Sequence, residues 1–218
     1  MNDKAEEYIL SLSAPEPPLL AELYRQTHLR LMNPRMASGH LQGRLLSLIS
    51  KLIRPVNILE IGTFTGYGTI CLAEGLADGG RIHTIDNDDE VLEFARPYFE
   101  KAGIMEKTVI HTGDARLLVP AINISFQLVY IDGEKREYPD YYRAVLPKLA
   151  PGGLMLADNV LWNNKVLQEP GKNDRSTQGV MEFNRMVMND PGVEQIILPV
   201  RDGIMLIRKK NINEQLYG

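Results

Sequence analysis

From residue 57 onward, the chain alternates short apolar runs with stretches of helical periodicity, and this alternation restricts the possible folds more than any other feature. Apolar strands that are separated by helices pair mainly in parallel, and the helices then cover both faces of the sheet. The sequence therefore predicts an α/β fold with a seven-stranded, mostly parallel sheet. The apolar runs are NILEIGT (57–63), RIHTID (81–86), KTVIHTG (107–113), FQLVYID (126–132), GLMLAD (153–158), VEQIILPV (193–200) and GIMLIRKK (203–210).

The two ends of the chain depart from this alternation. The last two runs are joined only by Arg201-Asp202-Gly203, a hairpin signal, so the final strand should be antiparallel. Helices are predicted between most runs, for example over residues 89–103 and 138–153. Residues 1–54 read as helical, with Ser38 as the cap of a third helix. We thus expect an N-terminal helical extension, residues 1–54, on an α/β unit, residues 55–218, in one globular body.

The overall charge and the single cysteine narrow the classes of protein. A net charge of -4 and a pI near 5.6 give no sign of a basic nucleic-acid surface. Cys71 cannot form an intrachain disulfide, which favours a cytoplasmic location, and its helical setting predicts a core residue. The N-terminal stretch lacks the features of a signal peptide, and no apolar stretch approaches the ~20 residues that span a bilayer. No membrane partner is expected.

A glycine-rich loop follows the first predicted strand, in the stretch LEIGTFTGYGTICLA. Ligands of open parallel sheets bind beyond the carboxyl ends of the strands, and Gly62, Gly66 and Gly68 permit a tight turn and close approach of a ligand there. The spacing G-x-x-x-G-x-G differs from the dinucleotide pattern G-x-G-x-x-G. Glu60, just before the first glycine, would repel a pyrophosphate, but it suits a ligand with an ammonium or sulfonium charge.

Two further acids stand at the ends of the next predicted strands. Asp86 has the position of an acid that hydrogen-bonds ribose hydroxyls, and Asp114 can accept from an adenine amino group. Taken singly, a glycine loop can be just a turn, and Asp86 can be a cap of the following helix. Together with Glu60, these acids predict a nucleoside with a positively charged amino-acid tail, which is S-adenosylmethionine (SAM).

The fourth and fifth predicted strands end in oxygen-bearing side chains, Asp132 in one and Asp158-Asn159 in the other. If these strands are neighbours, about 4.8 Å apart, the two carboxylates and the amide share one crevice. Two carboxylates held this close resist ionisation, and a bound divalent cation removes the conflict. Oxygen ligands indicate Mg²⁺, with Ca²⁺ or Mn²⁺ as alternatives. The other interpretation is that Asp158-Asn159 only forms a turn or a helix cap.

Lys135 follows Asp132 closely along the chain, in the stretch IDGEK. A lysine beside a divalent cation loses its proton more readily because the two positive charges repel, so it can act as a general base. Taken alone, the same lysine would be an ordinary solvated surface residue.

In these motifs the chain resembles the cation-dependent, SAM-dependent O-methyltransferases of the caffeoyl-CoA and catechol type. The resemblance covers nearly the whole chain, and it implies a Rossmann-like class I methyltransferase fold over residues 55–218. It also implies an enzyme that moves the methyl group of SAM to a hydroxyl of a vicinal dihydroxy phenol. The matching stretches are Arg35-Met36, ILEIGTFTGYG, RIHTIDNDDEVLEFAR, IDGEK, LAPGGLMLADNVLW and PVRDGIMLIRKK.

The resemblance also implies roles for individual residues. Lys135 is the implied catalytic base, and Asp132 lies where it can serve both the cation and the cofactor. Glu137, in place of the family's asparagine, is a candidate for the substrate pocket or the metal surroundings. From its position after the metal ligands, Trp162 is a candidate for the substrate pocket, with a core or lid-anchoring role as the alternative. Residues 163–178 follow the metal ligands directly and are either a lid over the substrate or a surface loop. The implied metal ligands are Asp132, Asp158 and Asn159. The cofactor contacts expected from the residues and from the resemblance are Met36, Glu60, Gly62, Thr63, Tyr67, Gly68, Asp86, Asp114, Ala115 and Asp132.

Three stretches depart from the family pattern. Gly68 stands where the family has a serine whose hydroxyl meets the cofactor carboxylate, and Thr69 is a possible replacement. Glu137 stands in place of an asparagine. Residues 38–43, SGHLQG, replace an acidic or P-E-Q-G stretch before the third helix. These changes bear on the identity of the substrate more than on the reaction.

The expected reaction is displacement at the sulfonium methyl by a substrate oxygen, with Lys135 accepting the proton. One alternative keeps this site and methylates hydroxylated uridine in tRNA, which the acidic pI disfavours. A nicotinamide oxidoreductase is disfavoured by the glycine spacing and by Glu60. A non-catalytic binding protein is disfavoured by the cost of two adjacent acids. The resemblance further implies a homodimer and a small-molecule phenolic substrate.

Overall fold

The computed structural model describes residues 3–211 and residue 214. One seven-stranded sheet carries helices on both faces. The helices are α1 (Asp3–Leu12), α2 (Pro18–Arg30), α3 (Gly39–Ile53), α4 (Tyr67–Ala73), α5 (Asp89–Lys101), α6 (Ala115–Ala121), α7 (Tyr138–Val145) and α8 (Arg175–Met188). The strands are β1 (Asn57–Ile61), β2 (Arg81–Asp86), β3 (Thr108–Thr112), β4 (Phe126–Ile131), β5 (Leu149–Ala157), β6 (Val193–Leu198) and β7 (Ile204–Lys209).

The strand order of the sheet is β3-β2-β1-β4-β5-β7-β6. Strands β1 to β5 pair in parallel, whereas β7 is antiparallel to both of its neighbours, β5 and β6. The predicted seven-stranded sheet with an antiparallel last strand is therefore confirmed. The order reverses between β1 and β4, and such a reversal opens a crevice at the carboxyl ends of the strands.

Alternate side chains of the strands enter two separate cores. Leu59 and Val129 face a core that α6, α7 and α8 close. Ile58 and Leu128, one position earlier in each strand, face a core that α2, α3, α4 and α5 close. This period of two follows from the pleat of a β-strand. The N-terminal helices α2 and α3 thus share a core with the sheet.

Two local predictions are wrong. The helix predicted over residues 138–153 ends at Val145, and β5 begins at Leu149, because Pro147 has no N–H to continue the helical hydrogen bonds. Ser38 precedes α3, but its side chain makes no capping hydrogen bond. Its carbonyl oxygen instead accepts a hydrogen bond from the guanidinium of Arg201, which ties α3 to the β6–β7 hairpin.

The short helix α4 is buried along its whole length. Cys71 in this helix is fully buried, as its helical setting predicts, and burial raises the pKa of its thiol to about 12. Such a thiol stays protonated and packs as a small apolar group. Of the helices within the described part of the chain, none combines the length and the apolar character that crossing a bilayer requires.

Candidate active site

A cavity of about 1050 Å³ opens at the carboxyl edge of the sheet, where the strand order reverses. Its walls are the loops that follow β1 to β5, together with residues 32–38 of the N-terminal extension and the β6–β7 hairpin. Eight acidic and five basic side chains line it, so its walls are not predominantly basic. This is the position at which open α/β sheets bind their ligands.

The alternation along the strands decides which side chains meet in this cavity. Glu60 follows Ile58 by two residues, and Asp158 follows Leu156 by two. Ile58, Leu156 and Tyr130 all belong to the core that the N-terminal helices help to close. Both carboxylates therefore point to the side of the sheet on which α2 and α3 pack.

Glu60 is buried at the cavity wall, and its two carboxyl oxygens have different surroundings. Oε2 accepts hydrogen bonds from the hydroxyls of Thr69 and Thr84, the latter at 2.6 Å. Oε1 is buried and has no hydrogen-bond partner among the residues that the structure describes. Burial raises the pKa of Glu60 to about 8, although the two threonine hydroxyls oppose the rise. An unpartnered buried oxygen in this position fits a cationic N–H donor.

The residues around Glu60 explain its setting. The hydroxyls of Thr63 and Thr84 are 2.5 Å apart, and because the Thr84 proton goes to Glu60, Thr63 is the donor. Gly68 lines the cavity, and a Cβ there would lie 2.7 Å from Glu60 Oε1. Thr69 is buried with its hydroxyl on Glu60. It therefore does not present that hydroxyl to the cavity in place of the serine that Gly68 replaces.

The glycines of the loop make room for protein atoms. Gly62 has a φ of 99°, and a Cβ on it would overlap the backbone carbonyl oxygen of Asp132. Gly66 has a φ of 82°, and a Cβ there would overlap the ring of Phe99. At these two positions the missing side chain therefore makes room for atoms of the chain itself. The sequence argument had expected it to make room for a ligand.

We expect Gly62→Ala to lower the free energy of unfolding by roughly 2–4 kcal/mol, because the new methyl group meets backbone and φ stays left-handed. Gly79→Ala is the matched control. Gly79 also has a positive φ, 73°, but no described atom lies within 4 Å of its Cβ position. The alanine there should therefore lower the free energy of unfolding by only about 1 kcal/mol. Urea unfolding measures both variants, and equal losses would contradict the steric role of Gly62.

Asp86 and Asp114 both line the cavity, in different states. Asp86 accepts the backbone N–H of Phe64 at 2.8 Å and that of Asp88 at 3.1 Å. It does not cap α5; Asp88 does, so that alternative for Asp86 is wrong. Asp114 caps α6 and pairs with the guanidinium of Arg116 at 2.6 Å, which lowers the pKa of Asp114. Its carboxylate is therefore already engaged.

The other predicted cofactor contacts also lie on the cavity wall. Met36, on a short 3-10 turn, is 58% exposed. Tyr67 is buried, and its hydroxyl donates to Glu16 in the N-terminal extension at 2.5 Å. Ala115 is the buried first residue of α6. The cavity thus collects every residue of the predicted cofactor set.

The carboxylates of Asp132 and Asp158 both face the hydroxyl of Tyr130, at 3.3 Å and 3.4 Å. The strands that precede them, β4 and β5, are adjacent and parallel, which is the condition that the sequence argument set. Burial and then the charge of Asp132 raise the pKa of Asp158 to about 6. Two acids that repel each other at one cavity wall are a donor set that fits a hard divalent cation.

Asn159 occupies a left-handed backbone conformation, with a φ of 57°. Its N–H donates to Asp158 Oδ1 at 2.8 Å, and its carbonyl oxygen accepts from the N–H of Trp162 at 3.1 Å. The chain does turn here, so the turn and a ligand role are compatible. Within residues 3–211 and 214, no group of three or more His, Cys, Asp or Glu could hold a metal ion. The predicted ligand set contains only two acids, Asp132 and Asp158, so the side-chain amide of Asn159 has to supply the third ligand.

Lys135 is buried, so the alternative of a solvated surface lysine is wrong. Its Nζ donates to Asp132 Oδ1 at 2.9 Å and to the hydroxyl of Tyr138 at 2.6 Å. That hydroxyl lies 2.9 Å from the carbonyl oxygen of Asp158, to which it donates. Burial, and then the charges of Asp132 and Asp158, raise the pKa of Tyr138 well above its usual range. The phenol stays neutral, and Nζ of Lys135 is fixed beside Asp132.

Three residues of the site were not predicted from the sequence. The amide of Gln42 in α3 donates to Tyr130 at 2.6 Å and to Asp158 at 2.7 Å, and Arg201 of the hairpin donates to Gln42. Tyr130 stands two residues before Asp132, so the period of two in β4 offered a signal for it. Gln42 and Arg201 had no such signal, because they come from elements distant in sequence.

The two candidates for substrate contact also line the cavity. Glu137 accepts the hydroxyl of Tyr141 at 2.8 Å and lies 3.5 Å from the guanidinium of Arg116. The indole Nε1 of Trp162 is buried and has no hydrogen-bond partner. Of the candidate lid, Asn163 reaches the cavity, but residues 175–178 belong to α8 rather than to a loop.

Solved structures of methyltransferases share this architecture. The O-methyltransferase TomG from Streptomyces achromogenes, involved in tomaymycin synthesis and solved in complex with SAM, superposes with a TM-score of 0.88 at 29% identity, over 97% of this chain and 100% of that one. An O-methyltransferase from Bacillus cereus in complex with SAH gives 0.88 at 27% identity, over 95% and 97%. The fold and the position of the cavity define a Rossmann-like methyltransferase.

Sequence comparison then gives the family. The model of the O-methyltransferase family matches residues 10–210. Caffeoyl-CoA O-methyltransferase from Eucalyptus gunnii is 33% identical over 95% of this chain and 88% of its own length. Caffeoyl-CoA O-methyltransferase 2 from Petunia hybrida is 33% identical over 95% and 91%. The chain belongs to the O-methyltransferase family, and the predicted resemblance is confirmed.

Proposed function

We propose that this chain is a divalent-cation-dependent O-methyltransferase that transfers the methyl group of SAM to one hydroxyl of a catechol-like small molecule. One observation carries the proposal: three features meet around one cavity. They are Glu60 with its unpartnered oxygen, the acid pair Asp132 and Asp158, and the buried side chain of Lys135. Family membership supports O-methylation. The SAM and SAH complexes of similar structures support the cofactor, and the names of the relatives support a phenolic acceptor.

The end of the cavity near β1, β2 and β3 is the proposed SAM site. Glu60 Oε1 is the acceptor for the ammonium group, since it is buried and unpartnered. Asp86 keeps free lone pairs for ribose hydroxyls, because each of its oxygens accepts only one backbone N–H. Asp114 and Ala115 stand where an adenine would end. The remaining proposed contacts are Met36, Gly62, Thr63, Tyr67, Gly68 and Asp132.

The end of the cavity near β4 and β5 is the proposed cation site. Asp132, Asp158 and Asn159 would hold Mg²⁺, with Ca²⁺ or Mn²⁺ as alternatives, through their oxygens. A bound divalent cation supplies Lewis acidity, which lowers the pKa of a hydroxyl that it contacts. The backbone of Asp132 also lies against Gly62 in the loop after β1. Asp132 therefore stands between the proposed SAM site and the proposed cation site.

Lys135 is the proposed general base. It would act as a neutral amine, whose two N–H bonds go to Asp132 and Tyr138 and whose lone pair accepts the proton of the attacking hydroxyl. Because Tyr138 is buried and Asp132 is partly buried, Nζ has little freedom to leave the position in which it meets the acceptor. Fixing the oxygen about 3–3.5 Å from the methyl group and in line with it supplies much of the rate.

A small phenolic acceptor fits the cavity better than tRNA does. The excess of acidic over basic lining residues gives no phosphate-binding track at the mouth. The unpartnered Nε1–H of Trp162 offers a hydrogen bond to a substrate oxygen, and Glu137 lines the same cavity. We propose both residues as substrate contacts, with the regiochemistry set by how they orient the ring.

Methyl transfer from labelled SAM to a panel of catechols and caffeoyl esters tests the function. We expect transfer with Mg²⁺ and a loss of at least about 100-fold with EDTA, because the cation would supply most of the acidity of the hydroxyl. Unmodified and hydroxyuridine-containing tRNA are included in the same assay. Transfer to tRNA alone would replace the proposed acceptor, and transfer that EDTA leaves unchanged would overturn the cation.

Two further properties belong to the same proposal. We propose a homodimer, supported by the exposed apolar side chains of Leu48 (57%) and Leu52 (76%) on one side of α3. Light scattering of the intact chain measures its mass, and a monomer at micromolar concentration would refute the dimer.

We also propose a cytoplasmic location, which the reduced, buried Cys71 supports. Recovery of the chain outside the cytoplasm in cell fractionation would refute this location.

A further inference from the structure

Gln42 lies beneath the acid pair with both ends of its amide bonded. It is fully buried in α3. Its Nε2 donates to Asp158 Oδ2 at 2.7 Å and to the hydroxyl of Tyr130 at 2.6 Å, which uses both of its protons. Its Oε1 accepts from Arg201 at 3.0 Å. Within the described residues, no other side chain of the N-terminal extension donates a hydrogen bond to the side chain of Asp132 or Asp158.

Arg201 decides which way this amide points. A guanidinium only donates hydrogen bonds, so Gln42 must turn Oε1 toward Arg201 and Nε2 toward Asp158. Arg201 is itself held by the carbonyl oxygens of Ser38 and Ala37. A flipped amide would set one oxygen against the Asp158 carboxylate and two protons against the guanidinium. Arg201 of the β6–β7 hairpin therefore fixes the orientation of the Gln42 amide, and through it the donor that faces Asp158.

The amide in turn fixes Asp158. The Oδ2 atom of Asp158 is held by Gln42, and Oδ1 is held by the N–H of Asn159 at 2.8 Å. A carboxylate with a donor on each oxygen cannot rotate without losing one of them. A lysine at position 42 would compete with a cation for the same oxygen, and an acid would add a third negative charge. A neutral donor orients the carboxylate and leaves its charge for a ligand.

We propose that Gln42 is a positioning residue of the cation site, and that Arg201 and Gln42 together couple the N-terminal extension and the β6–β7 hairpin to that site. The inference rests on the proposed function, because Asp158 is a metal ligand only under that proposal. Hydrogen-bond partners of metal ligands typically change metal affinity by about 10–100-fold when they are removed. Gln42 therefore acts through Asp158, without touching substrate or cofactor.

The test is the binding of Mn²⁺ alone to the full chain, followed by electron paramagnetic resonance without any methyl acceptor. Gln42→Met keeps an unbranched side chain of similar size but removes both amide ends. We expect the Kd for Mn²⁺ to rise at least about 10-fold. The Kd for SAM should stay within about 2-fold of its original value, since the hydrogen bonds of Gln42 go to Tyr130, Asp158 and Arg201. Gln195→Met, at an exposed position of β6 outside the cavity, is the control and should change neither constant.

Arg201→Met gives an independent measurement, because its side chain does not touch Asp158. We expect a rise of at least about 3-fold in the Kd for Mn²⁺, and the double variant should bind no more weakly than Gln42→Met, since both changes act through one amide. Unchanged Mn²⁺ binding by folded Gln42→Met would overturn the inference and leave the proposed function intact. Absence of Mn²⁺ binding by the unaltered chain would instead overturn the cation site itself.

Discussion

Replacing Lys135 with methionine is expected to slow methyl transfer by about 10²–10⁴-fold, the usual loss when a general base is removed. Methionine keeps a buried, unbranched stem but has no amine to accept the proton. Nζ bonds to Asp132 and Tyr138, and neither bond reaches Glu60 at the other end of the cavity. The Kd for SAM should therefore change little, so that the loss falls on kcat.

The pH dependence separates this role from a structural one. Without a base, the residual rate should keep rising with pH, because the acceptor hydroxyl then ionises without help. The unaltered enzyme should level off earlier. The measurement is kcat from pH 6 to 10 at saturating SAM, Mg²⁺ and catechol. Lys107→Met, at an exposed position outside the cavity, is the matched control. A variant of Lys135 that retains normal kcat would assign the proton transfer to another group.

Changing Glu60 to glutamine is expected to raise the Kd for SAM by about 10–150-fold, which corresponds to the roughly 1.5–3 kcal/mol of a hydrogen bond to a charged group. Glutamine has nearly the same shape, so the bonds from Thr69 and Thr84 can persist while the charge is lost. Glu93→Gln, an exposed acid of α5 paired only with Arg96, is the control. Equal affinity in both variants would remove Glu60 from the cofactor site.

Proton release gives a second readout of Glu60. Its pKa of about 8 means that the unliganded carboxyl is mostly protonated at pH 7. A cation placed at Oε1 lowers that pKa, so binding of SAM at pH 7 should release up to about one proton. The release should vanish above about pH 9, where the carboxyl is already ionised, and it should be absent in Glu60→Gln. Titration calorimetry in two buffers of different ionisation enthalpy measures it.

Much of the site follows from local pattern. Glu60, Asp86, Asp132 and Asp158 each stand at the end of an apolar run, and parallel strands bring such ends to one edge. The hairpin signal at residues 201–203 likewise predicts the antiparallel last strand. The predicted boundary between the N-terminal extension and the α/β unit, at residues 54 and 55, stays a prediction. Helices α2 and α3 share a core with the sheet, so the packing marks no division there.

The sequence by itself determined the α/β fold, the family and the row of strand-end acids, because all three depend on the period of apolar residues and on short motifs. Only the tertiary structure decided that Lys135 is buried, that Gly62 makes room for backbone, and that Gln42 and Arg201 meet beneath Asp158. Those contacts join residues that are far apart along the chain. They depend on how α3 and the hairpin pack against the sheet, and no local spacing encodes that packing.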